Sequence, residues 1–332
     1  MTVGNSRHRD LVAIGGSAGA IPALVELLGA FDPRGDVTVF LVVHRANESP
    51  HLKSIIQRVS KLEVCEPDDC EPMRANCLYI AQANCHMMIG DNHIHLRHGP
   101  KENNFRPAID PLFRSLAVFG STRSVGVVLS GYMDDGSAGA RAIVSHGGQI
   151  FVQDPSDAMT PDMPRAAISA VGEPTDILGS RALGERLSEI VTERVGPHRE
   201  VDQHVKLEMM IAGLEKASMA SEESLGELSP YNCPDCNGVL WEIEDGPLTR
   251  YRCHTGHAYT SRALEQRQEE MLERSLFDSL RACRERVNFV RNLALSDEQN
   301  RATWTKRAEG YERDCALLEE LIKDRDKVYS DH

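Results

Sequence analysis

Positive charge is what this sequence has too little of: 37 Lys and Arg stand against 50 Asp and Glu in 332 residues, a net charge of −13. That excludes a general nucleic-acid binder, because the phosphate backbone demands a basic face. No apolar run is long enough to span a bilayer. The polar opening MTVGNSRHRD carries no export signal, so the chain is expected in the cytoplasm, without membrane insertion. Its nine cysteines are dispersed along a long chain and make no disulfide framework; reduced thiols are expected there. What remains, 41% hydrophobic and 26% charged residues, describes a globular chain with a proper core and room for about two domains.

The most informative stretch is LVAIGGSAGAIPALVELLGAF, residues 11–31. Its apolar start reads as a buried parallel strand, and Ile21, Leu24, Leu27 and Leu28 recur at helical spacing after it. The sharp turn through small residues exposes Ser17 beside the free N–H groups of a helix's first turn. Three readings stay open at this point: a helix cap, a phosphate-binding loop, or a nucleophile.

Further β-prone runs follow at 37–43, 77–81, 93–96, 125–129 and 149–153, alternating with helical patterns over 50–60, 110–118 and 137–146. Asp110 is expected to cap the second of these helices, with Pro111 at its first position. The alternation predicts an α/β, doubly wound, mostly parallel sheet with helices on both faces. In such sheets the ligand crevice lies beyond the carboxyl ends of the strands. Ser17, His44 and the pair Asp134/Asp135 each stand just past such an end. A hydroxyl, an imidazole and a carboxylate on one rim are the parts of a Ser-His-Asp triad. A hydrogen-bonded histidine and turn-forming aspartates are the plainer reading of the same residues.

Residues 10 to about 180 resemble the catalytic domain of the chemotaxis protein-glutamate methylesterases. The resemblance rests on VAIGGSAGAIPAL, VVHRA, LYIAQANCHMMI, GPKENNFRPAIDPLFRSLA, VGVVLSGYMDDGSAGARAI and VQDPSDAMTPDMPRAAI, in the family's order and spacing. It implies Ser17 as nucleophile, His44 as general base and Asp135 as the triad carboxylate, with Asp134 outside the triad. It also implies oxyanion donors on the backbone at Ala18 and Tyr132, and Arg106 and His86 as substrate-site residues. For Arg106 a structural ion pair is the alternative. The implied reaction is hydrolysis of glutamate γ-methyl esters on chemoreceptor helices, with glutamine deamidation beside it and no cofactor for catalysis. The motif Ser17-Ala18-Gly19-Ala20 departs from the archetypal Ser-Thr-Gly-Gly. Because the resemblance starts at residue 10, the receiver domain that normally precedes the catalytic domain is expected to be missing. An occluding role for the C-terminal helices, relieved by deleting 196–332, is one expectation that follows. The alternative to an enzyme is a catalytically quiet binding module whose zinc and helical tail engages a partner.

The catalytic domain is assigned to 1–195. A linker over 196–229 holds one short helix, Val205 to Leu214. Over 230–259, Cys233-x2-Cys236 and Cys253-x3-His257 frame two β-prone runs, the layout of a zinc ribbon. A structural zinc on Cys233, Cys236, Cys253 and His257 is expected, with His254 as the other choice for the fourth ligand. No thioredoxin-like βαβ pattern surrounds the cysteines to suggest redox chemistry. Residues 260–332 read as a helical hairpin, with Leu264, Met271, Leu272, Leu276, Leu280, Val287, Val290 and Leu293 on one helix and Trp304, Tyr311, Leu318 and Leu321 on the next. Those stripes would pack on each other, on the catalytic domain, or on a second copy as a homodimer.

Overall fold

Leu11 and Ala13 face one core, Val12 and Ile14 the other, as the twofold alternation of a strand requires. The computed structural model, which describes residues 8–44, 51–200, 202–213 and 226–329, shows how both cores arise. The strands are β1 Leu11–Gly16, β2 Thr38–Val43, β3 Glu63–Cys65, β4 Glu71–Pro72, β5 Cys77–Ile80, β6 His86–Gly90, β7 His93–Arg97, β8 Ser124–Val128, β9 Gln149–Gln153 and β10 Asp176–Leu178. Among them run α1 Ala20–Ala30, α2 Leu52–Val59, α3 Ile109–Gly120, α4 Ser137–Ser145, α5 Asp162–Val171 and α6 Ser180–Ile190. Seven strands form one sheet in the order β10-β9-β8-β1-β2-β5-β3, and every pairing in it is parallel. Leu24, Leu27, Ile56, Leu183 and Leu187 cover one face. Leu112, Phe113, Ile143, Met163 and Ala167 cover the other. From β1 the chain turns first to β2 on one side and later to β8 on the other, so the order reverses at β1. A doubly wound sheet opens its crevice at such a point.

Beyond the sheet come α7 Gln203–Ala212, then β11 Glu227–Asn232, β12 Val239–Asp245, β13 Leu248–Cys253 and β14 Ala258–Thr260, an antiparallel four-stranded ribbon. Helices α8 Ser261–Ser296 and α9 Arg301–Tyr329 close the described chain. The molecule divides into two compact units, Met1–Leu264 and Glu265–His332, so the ribbon shares a unit with the parallel sheet.

Several boundaries differ from expectation. Helix α3 starts one residue before Asp110, with Ala108 at its cap position. The Asp110 side chain cannot cap it, because its Oδ1 accepts from Gly139 N at 2.7 Å. The helix expected over Val205–Leu214 is α7, which begins earlier because the Asp202 carboxylate accepts from His204 N and Val205 N. It is no free linker, since Glu208 on it is buried. Residues 1–7, 45–50 (including part of VVHRA and Pro50), 201, 214–225 and 330–332 lie outside the described residues. Within the second unit, Leu280, Val287 and Cys315 form the packed seam, while Met271, Leu272 and Leu321 of the expected stripes are exposed. Among the described residues, no helix is long and apolar enough to cross a membrane.

Candidate active site

Ser17, His44 and the aspartate pair follow β1, β2 and β8, three neighbouring strands at the switch point. Ser17 and His44 line the same cleft, about 390 Å³, together with Ala18, Gly19, Val43 and Met159. Backbone bonds fix both residues: Ser17 N donates to Ser130 O at 2.9 Å and His44 N to Gly16 O at 3.0 Å. Gly131 passes so close that a Cβ there would stand 2.8 Å from Ser17 Cβ. Gly19 takes φ +77°, a left-handed conformation that costs glycine little and lets the chain enter α1 directly after the serine. The backbone N–H groups of Ala18 and Gly19 beside Ser17, and of Tyr132 on the β8 side, have no hydrogen-bond acceptor among the described residues.

Asp135 is 1% exposed, and its Oδ2 lies 2.8 Å from His44 Nε2. Four further donors reach the same carboxylate: Ile109 N at 2.6 Å, Asn103 Nδ2 at 2.9 Å, Gly136 N at 3.0 Å and Asp110 N at 3.2 Å. Burial pushes this carboxyl up, yet the hydrogen bond and charge of His44, with the Ile109 and Asn103 donors, hold it below the usual range. An ionised Asp135 accepts the Nε2–H of His44, which leaves Nδ1 as the basic nitrogen. That Nδ1 is buried and has no hydrogen-bond partner among the described residues. Phe105 stacks flat on the imidazole, ring centroids 3.7 Å apart and 10° from parallel. The ring is therefore held at one edge by Asp135 and on one face by Phe105.

The other sequence-derived residues fall in several places. Asp134 turns away from His44 and accepts from Thr260 Oγ1 at 2.7 Å. Tyr132 is 62% exposed. Arg106 donates to Asn84 Oδ1 at 2.6 and 2.9 Å and to Gly99 O at 2.7 Å, bonds that tie loops together. His86 is fully buried, with Nε2 donating to Pro100 O at 2.8 Å and Nδ1 accepting from Ala108 N at 3.2 Å. Burial lowers its pKa, which favours the neutral ring those two bonds require. A histidine with both nitrogens committed inside the core cannot touch a substrate, so His86 leaves the substrate site and becomes a support for the loop before α3.

Two residues of the site were missed from sequence: Phe105, and Asn103, whose Nδ2 bridges Asp135 Oδ1 and Asp110 Oδ2, both at 2.9 Å. Both lie inside GPKENNFRPAIDPLFRSLA, and that block was the only signal they gave. In the ribbon, Cys233, Cys236, Cys253 and His257 bring one ligand atom each to within 4.8 Å of one another. His254 lies elsewhere, its ring 3.9 Å from that of Trp241.

With this geometry in place, likeness to known proteins becomes informative. Residues 12–187 match the family model described as CheB methylesterase. A protein-glutamate methylesterase/protein-glutamine glutaminase of Paramagnetospirillum magneticum is 35% identical over 168 residues, 48% of this chain and 44% of that one. A relative of the same name from Maricaulis maris is 33% identical over 187 residues, 54% of this chain and 46% of its own. The chain thus spans less than half the length of these curated relatives. The crystal structure of the Thermotoga maritima CheB methylesterase catalytic domain superposes with a TM-score of 0.52 at 25% identity, covering 55% of this chain and 98% of that one.

Proposed function

We propose that this chain, which belongs to the CheB methylesterase family, is a serine hydrolase that removes methyl groups from glutamate γ-methyl esters of chemoreceptor-like proteins. The observation that carries this reading is the cleft shared by Ser17 and His44, with His44 held from behind by a buried, ionised Asp135. Ser17 Oγ attacks the ester carbonyl while His44 takes the hydroxyl proton on the ring nitrogen not committed to Asp135. The oxyanion of the tetrahedral intermediate meets the open N–H groups beside Ser17 and at Tyr132, each supplying on the order of 3 kcal/mol. His44 returns the proton to the departing methoxide, so methanol leaves and a glutamyl-serine ester remains. Water, deprotonated by the same ring, hydrolyses that ester and restores Ser17. A glutamine side chain passes through the same oxyanion and releases ammonia, so deamidation needs no further group.

The test is methanol release from a methylated chemoreceptor fragment, alongside ammonia release from a fragment with glutamine at the same site. The native chain is expected to release methanol, and Ser17→Ala to lose that release by about four orders of magnitude or more. Release that survives in Ser17→Ala removes the assigned nucleophile. No release of either product, from the folded native chain or from a folded chain cut after residue 264 to remove the C-terminal helices, overturns the esterase reading in favour of a binding module.

A further inference from the structure

Three thiols and one imidazole meet in the ribbon, and none of the cysteines is in a disulfide. We infer that Cys233, Cys236, Cys253 and His257 hold one zinc ion, and that this centre locks the strand after His257 onto Asn103, which braces the triad carboxylate. The site rests on its own geometry and does not depend on the esterase reading.

The distances match a tetrahedron. Zinc–sulfur bonds of about 2.3 Å and zinc–nitrogen bonds of about 2.0 Å, at tetrahedral angles, place ligand atoms about 3.5–3.8 Å apart. Cys236 Sγ stands 3.6 Å from Cys253 Sγ, Cys253 Sγ 3.6 Å from His257 Nδ1, and Cys233 Sγ 3.7 Å from the same Nδ1. Each ligand pair sits on a tight turn built for the purpose. Cys233 N donates to Gly238 O at 2.7 Å and Asn237 N back to Cys233 O at 2.8 Å, with Asn237 at φ 59°. Cys253 N donates to His257 O at 3.0 Å and Gly256 N to Cys253 O at 2.8 Å, with Gly256 at φ 99°. Such turns point two ligands at one spot, and three soft thiolates with an imidazole select zinc among the common divalent ions. The four ligands also join strands that are otherwise tied by a short antiparallel sheet with a small core. A segment that small ordinarily needs a staple.

The link to the esterase site begins at the residue after the last ligand. Ala258 N donates to Lys101 O at 3.3 Å, and Asn103 N to Ala258 O at 2.8 Å. Thr260 N then donates to Asn103 Oδ1 at 3.0 Å, which orients the Asn103 amide so that its Nδ2 faces Asp135. Metal at His257 therefore fixes the segment that fixes Asn103. Asn103 is a positioning residue, since it reaches the reacting atoms only through Asp135 and His44.

The experiment uses the full chain, purified without chelator, in two measurements. Zinc content is expected at about one per chain, near zero in Cys236→Ser, and unchanged in Cys283→Ser, whose thiol lies outside the cluster. Cobalt substitution should give the charge-transfer absorption of a thiolate-rich tetrahedral centre. If Cys236→Ser does not fold, the native chain's zinc content and cobalt spectrum still decide. A native chain that holds no metal and takes up none from equimolar zinc overturns the site. For the lock, hydrogen exchange at the amides of Asn103 and Thr260 is compared before and after chelation. Exchange there should accelerate at least about tenfold while strand β1 keeps its protection. Equal protection in the two states overturns the link.

Discussion

Two carboxyl groups, Asp110 and Asp135, share the single amide of Asn103 in a pocket closed to water. They cannot both ionise without strong mutual repulsion, and their surroundings decide which one does. Among the described residues, Asp135 collects five donors including His44, whereas Asp110 has Gly139 N and the Asn103 amide alone. Burial and the Asp135 charge push the Asp110 carboxyl up to about 7. A carboxyl raised in the folded state has no cost below the unfolded value, costs more as pH rises through that window, and costs its full amount above the folded value. The native chain should therefore lose stability between about pH 4 and about pH 7 from this group, with a ceiling of about 4 kcal/mol for a shift of that size. Asp110→Asn removes the titrating group and keeps an acceptor for Gly139. Urea unfolding of both proteins across that range should show a flatter slope for the variant; parallel slopes would show that Asp110 is ionised throughout. Nothing about these partnerships was legible in the sequence. Asn103 and Phe105 act on residues that the fold brings to them from another strand end, and no local spacing reports that. Ser17 and His44 were legible because each follows a strong strand run directly, whereas Asp135 was singled out from Asp134 only by the family resemblance.

The turns after β1 and β8 decide whether those three side chains can meet. Gly131 runs so near Ser17 that an added methyl would stand 2.8 Å from Ser17 Cβ and 2.8 Å from Met163 Cε. Met163 is flexible and can yield, but Ser17 sits on a turn pinned by Ser130 O. Gly131→Ala is thus expected to displace the serine and cut methanol release by about a hundredfold, since small misplacement of a nucleophile is that costly. Its thermal midpoint should fall by only a few degrees. A variant with full activity would show that the turn has more room than the contact implies. Elements were readable where the apolar pattern was long: β1, β2, β8 and β9 are buried runs, and α1 shows its stripe. The short strands β3, β4 and β10 span only two or three residues each, and their pairing comes from the sheet they join. Helix α7 was found but read as a linker, because the burial of Glu208 depends on arginines some forty residues later.

Those arginines show how the ribbon and the parallel sheet become one unit. Arg250 grips Glu208 with two bonds of 2.7 Å, and Arg252 reaches both Glu102 and Glu208 at 3.0 Å. Arg114 of α3 pairs with the same Glu102, and all five side chains are buried. Breaking such a cluster by removing one sign leaves uncompensated buried charge, at a cost of about 3–5 kcal/mol. Deleting residues 196–332 takes Glu208, Arg250 and Arg252 out together, leaving Arg114 and Glu102 paired only with each other, and strips Thr260 from Asn103. The occlusion expected from sequence would have such a deletion raise activity. The bonding argues the opposite, because the removed segment supports Asp135 through Asn103. Residues 1–195 alone should therefore release methanol more slowly and melt lower than the whole chain. A chain shortened to 1–264 keeps every one of these bonds and should retain release close to the full rate. Faster release from 1–264 than from the full chain would restore occlusion by the C-terminal helices.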